Sequence, residues 1–187
     1  MRNCSLLVLG IALSCYASAQ PSLRKMSEIF QKQKQESHYL LKLAGENKGA
    51  VQFTPASRLI KADVKTWLSS SLGLRAGKDE MQKQQGSSLY QNNLEIERYQ
   101  QWFKGVKVEH GFANVISRAG RVAAMQLEFY PMEESFSTSP ALSEEAALKK
   151  ALAYVGAAKY AWEDYSGDDP EYKKPEGSLV IVEDYYG

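Results

Sequence analysis

Cysteine and histidine are scarce in this sequence of 187 residues, which contains two of each. Both cysteines, Cys4 and Cys15, lie close to the amino terminus. The two histidines, His38 and His110, lie far apart, and neither belongs to the zinc-protease motif His-Glu-x-x-His. The sequence therefore offers little material for a transition-metal site or for a fold held by disulfides.

An excess of charge of one sign is also missing. Lysine and arginine number 23 against 22 aspartates and glutamates, so the formal net charge is +1. This balance gives no basic footprint for nucleic acid. The sequence also contains no phosphate-binding loop, no dinucleotide fingerprint and no Gly-x-Ser-x-Gly nucleophile elbow. We therefore expect a chain that is not an enzyme, has no cofactor and does not bind nucleic acid.

No apolar run is long enough to cross a membrane as a helix, which takes about 20 residues. The most apolar stretch near the start, residues 6–13, follows Arg2 and precedes Ala17-Ser18-Ala19. A positive residue, a short apolar segment and small residues in this order are typical of a secretory signal peptide. We expect a signal peptide over residues 1–19, cleaved between Ala19 and Gln20, and no transmembrane span.

Export would place the mature chain outside the cell or in the periplasm. Cleavage would remove both cysteines, so a hydrophobic core rather than disulfides must stabilise the fold. Two alternatives remain for the first residues. Residues 1–19 could form an ordinary buried helix, or Cys15 could be the acylated cysteine of a lipoprotein, although Ala12-Leu13-Ser14 fits a lipobox poorly.

The remainder divides into four segments by composition and periodicity. The first is polar and is predicted to hold a loosely attached helix and an extended piece over residues 39–43. The second combines a helix, at about residues 57–72, with about four strands of alternating polarity. A linker rich in serine, threonine and proline separates it from a second helix-plus-strand unit. The segments are residues 20–50, 51–132, 133–141 and 142–187.

Turn and cap residues mark the ends of these elements. Gly73 is placed to end the first helix, and Lys104-Gly105 and Arg118-Ala119-Gly120 are typical of tight turns between antiparallel strands. Ser143 and Gly156 are placed to cap the helix of the second unit. An acidic loop and a short strand at residues 179–182 follow it. We expect the loop to be solvated rather than to bind calcium, and the second unit to be truncated.

One hairpin carries the most informative pattern in the sequence. It has a strand with two glutamines, an aromatic pair, a Lys-Gly turn and two valines at alternate positions. Composition alone predicts no more than a hairpin. Its motif residues are Arg98, Tyr99, Gln100, Gln101, Trp102, Phe103, Lys104, Gly105, Val106 and Val108.

The hairpin resembles the signature of the fungalysin/thermolysin propeptide (FTP) domain, found in secreted precursors of thermolysin-like (M4) zinc metallopeptidases. Leu142-Ser143-Glu144-Glu145-Ala146 resembles the start of a PepSY-type propeptide unit. Where the FTP family often has an Asp-x-x-Gly turn, this sequence has Gln91-Asn92-Asn93-Leu94. The resemblance covers about residues 52–182. It implies an α+β fold, in which a cystatin-like helix packs on an antiparallel sheet and the start of a second similar unit follows.

The resemblance also implies a function. A propeptide of this kind assists the folding of its protease domain and inhibits it, with zinc and calcium expected only in a catalytic domain that this chain lacks. The partner would be a thermolysin-like protease domain, contacted through the hairpin residues, of which Tyr99 and Trp102 could equally pack in the core. The alternative is a free-standing exported cystatin-like module that binds or inhibits a protease.

Overall fold

A computed structural model describes residues 39–43, 48–86, 89–91, 93–164 and 173–183. The predicted signal peptide with its cleavage site at Ala19 and Gln20, Cys15, His38 and the predicted helix before residue 39 lie outside these residues. The same holds for most of the acidic loop. The described chain divides into two compact units, one extending to Ser137 and the other beginning at Thr138.

In its described residues, the first unit contains seven strands and one short helix. The helix α1 spans Val64–Ser71 and is preceded by a 3-10 turn over Lys61–Asp63. The strands are β1 (Tyr39–Leu43), β2 (Lys48–Phe53), β3 (Asp79–Lys83), β4 (Leu89–Gln91), β5 (Leu94–Phe103), β6 (Val106–Arg118) and β7 (Arg121–Glu128).

The strands form one antiparallel sheet in the order β1-β2-β7-β6-β5-β3, and β4 pairs with the first residues of β5. Helix α1 covers one face, because Val64, Leu68 and the following Leu72 are buried in one core cluster with Val115 and Met125 of the sheet. The predicted α+β class, with a helix packed on an antiparallel sheet, is confirmed.

The two predicted tight turns are confirmed. Lys104 and Gly105 have φ angles of 47° and 79°, and Ala119 and Gly120 have 49° and 76°. Two consecutive residues with positive φ are typical of the two-residue turn whose twist matches that of the flanking strands. The extended piece over Tyr39–Leu43 is likewise confirmed as β1.

The first helix is shorter than predicted, because residues at its expected start bond to the sheet. The Val122 amide donates to the Leu59 carbonyl at 3.0 Å, and the Lys61 amide donates to the Gly120 carbonyl at 3.1 Å. Ile60 also forms an isolated bridge with Arg121. These contacts with the β6–β7 turn keep the chain extended, so the helix begins only at Val64. Gly73, with φ 63°, ends it as predicted.

The sheet is larger than predicted. The expectation of about four strands missed β1, β2 and the short β4 as members of the sheet, and the predicted boundary at residue 51 falls inside β2. Val51 lies opposite Met125 of β7 and is fully buried, so β2 belongs to the core. Its exposed residues, Lys48, Ala50 and Gln52, alternate with residues that are buried or half-buried.

The second unit contains helix α2 (Glu144–Val155), a short helix α3 (Ala161–Asp164) and a two-residue strand β8 (Val180–Ile181). The predicted caps of α2 are confirmed: the Ser143 hydroxyl accepts from the Ala146 amide at 3.2 Å, and Gly156 has φ 63°. None of the helices in the described part of the chain is long and apolar enough to cross a membrane.

Candidate functional site: the bulged hairpin of β5 and β6

The hairpin that carries the sequence motif contains a large bulge, in which β6 has more residues than β5. Gln100 of β5 lies opposite Phe112 of β6, whereas Trp102 lies opposite Lys107. One residue of β5, Gln101, therefore opposes residues 108–111 of β6. A bulge of this size interrupts the ladder and leaves backbone groups of β6 without partners from β5.

The side chain of Gln100 replaces the missing partners. Its Nε2 donates to the carbonyl of Val108 at 2.5 Å and to the carbonyl of Gly111 at 2.8 Å. Only 4% of Gln100 is exposed, so these carbonyls would otherwise be poorly solvated. A buried carbonyl without a donor costs about 1–3 kcal/mol, and the carboxamide removes that cost at both ends of the bulge.

Gln101 binds a different part of the chain. Its Nε2 donates to the Tyr130 carbonyl at 2.6 Å, and its Oε1 accepts from the Tyr130 amide at 3.0 Å. The carboxamide thus pairs with Tyr130 as a neighbouring strand would. A Cβ atom on Gly111 would lie 2.4 Å from Gln101 Oε1, so Gly111 provides the space for this fully buried side chain.

The rest of the hairpin tip binds the residues that follow β7, which we call the exit segment (130–136). Lys104 Nζ donates to the carbonyls of Glu134 and Phe136 at 2.8 and 2.9 Å. Phe103 meets the ring of Phe136 edge to face, with centroids 6.2 Å apart. Together with Gln101, these make three residues of the motif that hold the exit segment against the hairpin.

A second anchor of the exit segment comes from Arg75, after helix α1. Its Nε and Nη2 donate to the two carboxylate oxygens of Asp79 at 2.6 and 3.0 Å. Nη2 also donates to the Met132 carbonyl at 2.8 Å. The bidentate pair with Asp79 fixes the guanidinium plane, so Arg75 holds the exit segment at Met132.

An ionic cluster lies on the helix-facing side of β5. The Glu97 side chain is 3% exposed, and its Oε1 lies 2.5 Å from Lys83 Nζ and 3.3 Å from Lys61 Nζ. Lys61 also bonds Glu95 at 2.5 Å, and this bond, with the field of Glu97, raises the pKa of Lys61. Burial, followed by the charge of Glu97, raises the pKa of Tyr99. Two ammonium groups thus offset the charge of a buried carboxylate.

The ten motif residues divide between the interior and the surface. Five are buried and serve the fold: Tyr99, Gln100, Gln101, Phe103 and Val108. Arg98 is half-buried, with its guanidinium 4.3 Å from the ring centre of Phe112. Trp102 and Val106 are half-buried, and Lys104 and Gly105 are exposed. The surface available to a partner is therefore the turn with Trp102 and Val106, supported by the buried residues behind it.

Sequence reasoning missed the residues that complete this arrangement, namely Arg75, Lys61, Lys83 and Gly111. One signal was present: Glu95 and Glu97 share a strand face with Tyr99, and a buried carboxylate requires a cation nearby. The lone glycine within the β6 pattern was a second signal, because glycine inside a strand often marks a bulge or a close approach. The partners themselves are distant in sequence and have no local pattern.

The arrangement brings together two buried carboxamides and several ion pairs. Within the described residues, no group of three or more histidine, cysteine, aspartate or glutamate side chains is placed to hold a metal ion. No protein-family model matches the sequence, and a search of the curated proteins found no similar sequence.

Proposed function

We propose that this chain is the propeptide region of a secreted thermolysin-like metallopeptidase, acting as chaperone and inhibitor of the catalytic domain. The observation that carries the proposal is the interlocking of the motif residues in one hairpin. Gln100, Gln101, Phe103 and Lys104 each make a specific contact that depends on their spacing. The spacing that resembles the FTP signature thus has a physical basis in this chain.

The same contacts support a binding role. Lys104 bonds the turn to the exit segment, the Gln100 carboxamide bonds the bulge, and the Gln101 carboxamide bonds Tyr130. A tip fixed in this way loses little conformational entropy when a partner binds. Trp102 and Val106 supply apolar surface next to the turn, the kind of contact that carries much of the affinity in protein interfaces. The chain itself would catalyse no reaction.

A free-standing exported cystatin-like module that binds or inhibits a protease is the second candidate. The observation that favours it is the packing of α1 across an antiparallel sheet. Reading the gene beyond the codon for Gly187 distinguishes the two. An open frame that encodes His-Glu-x-x-His supports the propeptide, and a stop codon supports the free-standing module.

The direct test mixes residues 20–187, which include every described residue, with denatured thermolysin catalytic domain as the probe, or with the catalytic domain encoded by the same gene. We expect a higher yield of refolded protease and inhibition of the refolded enzyme. Trp102→Ala should weaken both effects, whereas Tyr154→Ala, at a residue that is 80% exposed in the second unit, should leave them unchanged.

An unchanged refolding yield together with undiminished protease activity would reject the proposal. Binding and inhibition without any effect on refolding would favour the cystatin-like module instead.

A further inference from the structure

A hollow of about 440 Å³ lies beside Trp102 and is lined by that residue, four glutamines and two lysines; we call it the Trp102 hollow. Tyr99 of β5 belongs to the core cluster with α1. Because successive side chains of a strand point to opposite faces, Gln100 and Trp102 point away from α1. Gln82 of β3 is the ladder partner of Gln100 and shares that face. The volume is within the range of about 300–1,000 Å³ that is usual for small-molecule sites.

Carboxamides form most of the polar lining of the hollow. Gln82 and Gln85 are exposed and Gln84 is half-buried, so a ligand can reach them. Gln82 Nε2 donates to Glu80 Oε2 at 2.9 Å, and among the described residues none donates to Gln82 Oε1. Gln84 Nε2 makes a long hydrogen bond of 3.5 Å to Gln100 Oε1. Because a carboxamide donates and accepts, as a hydroxyl group does, this lining suits a ligand with several hydroxyl groups.

Trp102 supplies the apolar part of the hollow. Its side chain is half-buried, and within the described part of the chain its indole has no hydrogen-bond partner and no ring or cation–π contact. In the ladder it lies between Glu80 of β3 and Lys107 of β6. Tryptophan combines a large apolar ring with one polar N–H group, and this N–H usually bonds a partner when it is shielded from water. A ligand with an apolar face and hydroxyl oxygens matches both parts of the side chain.

The charged residues around the hollow are already paired. They form three ion pairs with separations of 2.5, 2.9 and 3.3 Å: Lys83–Glu97, Lys107–Glu109 and Glu80–Lys65. A phosphate or a nucleic acid binds best to cations that have no carboxylate partner. An entirely apolar ligand would displace water from the carboxamides without replacing its hydrogen bonds. The lining therefore favours a ligand that is uncharged and carries polar groups.

We infer that the Trp102 hollow binds an uncharged saccharide. One face of a pyranose ring carries several C–H groups, which are weakly positive and pack on the negative face of the indole. The hydroxyl groups at the rim of the ring donate to Gln82 Oε1 and bond the carboxamide of Gln85. In an oligosaccharide, the indole N–H donates to a hydroxyl group of the adjoining ring. This inference goes beyond the proposed function and does not depend on a protease partner.

The test applies residues 20–187 to an array of neutral oligosaccharides of glucose, galactose, mannose and N-acetylglucosamine, with sulfated and sialylated saccharides beside them. We expect binding to neutral members, and calorimetry then measures the affinity for the strongest one. Gln82→Ala, at an exposed residue, should weaken this binding roughly fivefold through the loss of one hydrogen bond. The matched control is Gln52→Ala. Gln52 is exposed on β2, which β7 and β6 separate from β5, so its loss should leave the affinity unchanged.

Two further measurements concern Trp102 itself. Trp102→Phe keeps a smaller ring and Trp102→Ala keeps none, so we expect the affinity to fall roughly fivefold and thirtyfold. In case Trp102→Ala does not fold, nuclear magnetic resonance follows the indole N–H signals of the unchanged protein during titration with the saccharide. We expect the Trp102 signal to shift. The signals of Trp67, which packs against Phe53, and of Trp162 in the second unit should stay in place.

Three results would overturn the inference. They are the absence of binding to every neutral saccharide on the array, equal weakening of binding by Gln82→Ala and Gln52→Ala, and binding that leaves the Trp102 signal in place. Binding confined to sulfated or sialylated saccharides, and lost at high salt, would also contradict it, because the ligand would then be an anion held by charge.

Discussion

Gln100 and Gln101 show how two identical neighbours can take different structural roles. Successive side chains of a strand point to opposite faces, so one carboxamide meets the bulge of its own hairpin and the other meets Tyr130. Neither carries a charge, and both are almost completely buried. Glutamine suits both places because its carboxamide can donate and accept at once, as a backbone peptide does.

At this scale we predict that Gly111→Ala destabilises the first unit by about 1–3 kcal/mol, because the new methyl group would overlap Gln101. Urea denaturation followed by tryptophan fluorescence measures the loss. The matched comparison is the same substitution in a Gln101→Ala chain, where the side chain that clashes is absent. There we expect Gly111→Ala to cost much less. An equal cost in both backgrounds would show that the space at Gly111 serves something other than Gln101.

Among the structural elements, the hairpin, the exit segment and the turn after α1 are joined to one another by hydrogen bonds. Lys104 joins the turn of β5–β6 to the exit segment at Glu134, and Gln101 joins β5 to the exit segment at Tyr130. These contacts join residues about thirty positions apart. The exit segment has no regular structure of its own, so its conformation depends on them.

We predict that Lys104→Met releases the exit segment while the sheet stays folded. The loss of two hydrogen bonds from an exposed ammonium should lower the local opening free energy by about 1 kcal/mol, and so speed cleavage there roughly fivefold. A protease that cleaves after glutamate, acting at Glu133 and Glu134, measures the effect. Lys107→Met is the control, because Lys107 binds Glu109 in its own strand. Equal cleavage of both variants would contradict the role of Lys104.

Local signals in the sequence predicted the elements whose ends depend on nearby residues. The turns at Lys104-Gly105 and Ala119-Gly120, and the caps at Ser143 and Gly156, need only the conformational preferences of a few residues, and the structure confirms them. Strand β2 could not be assigned this way. Its place is set by pairing with β7, more than seventy positions later. The bulge had one local signal, Gly111 inside a strand pattern, but its size depends on how β5 and β6 pair.

In the whole molecule, the described chain consists of two units whose hydrophobic cores differ in size. The first has a continuous core of twelve buried residues, whereas the second buries only Ala147 and Leu148 in its cluster. The hydrophobic contribution to stability therefore resides mostly in the first unit. The ionic cluster of Glu97 is part of that unit, so this cluster contributes to the pH dependence of the unit's stability.

We predict that the first unit loses stability as the pH rises above about 10. Lys61 and Tyr99 have pKa values raised above their usual 10.5 and 10.0. A raised pKa means that the folded state retains its proton longer than the unfolded state. The associated stability is complete below the usual values and is lost as the pH rises through the raised ones.

Urea midpoints measured between about pH 8 and pH 11 test this expectation. Tyr99→Phe should flatten the decline, because the phenylalanine has no proton to lose. Tyr154→Phe, at an exposed tyrosine, should leave the profile unchanged. A midpoint that stays constant to the end of this range, or that rises, would contradict the roles of both groups.

The close approach of Gly111 and Gln101 has a consequence for the history of the sequence. A side chain at position 111 can be accommodated only if the residue at position 101 becomes smaller or turns away. In sequences that share this hairpin by descent, we therefore expect the two positions to vary together. A glutamine and a glycine ten positions apart, as in this chain, would then be retained together or replaced together.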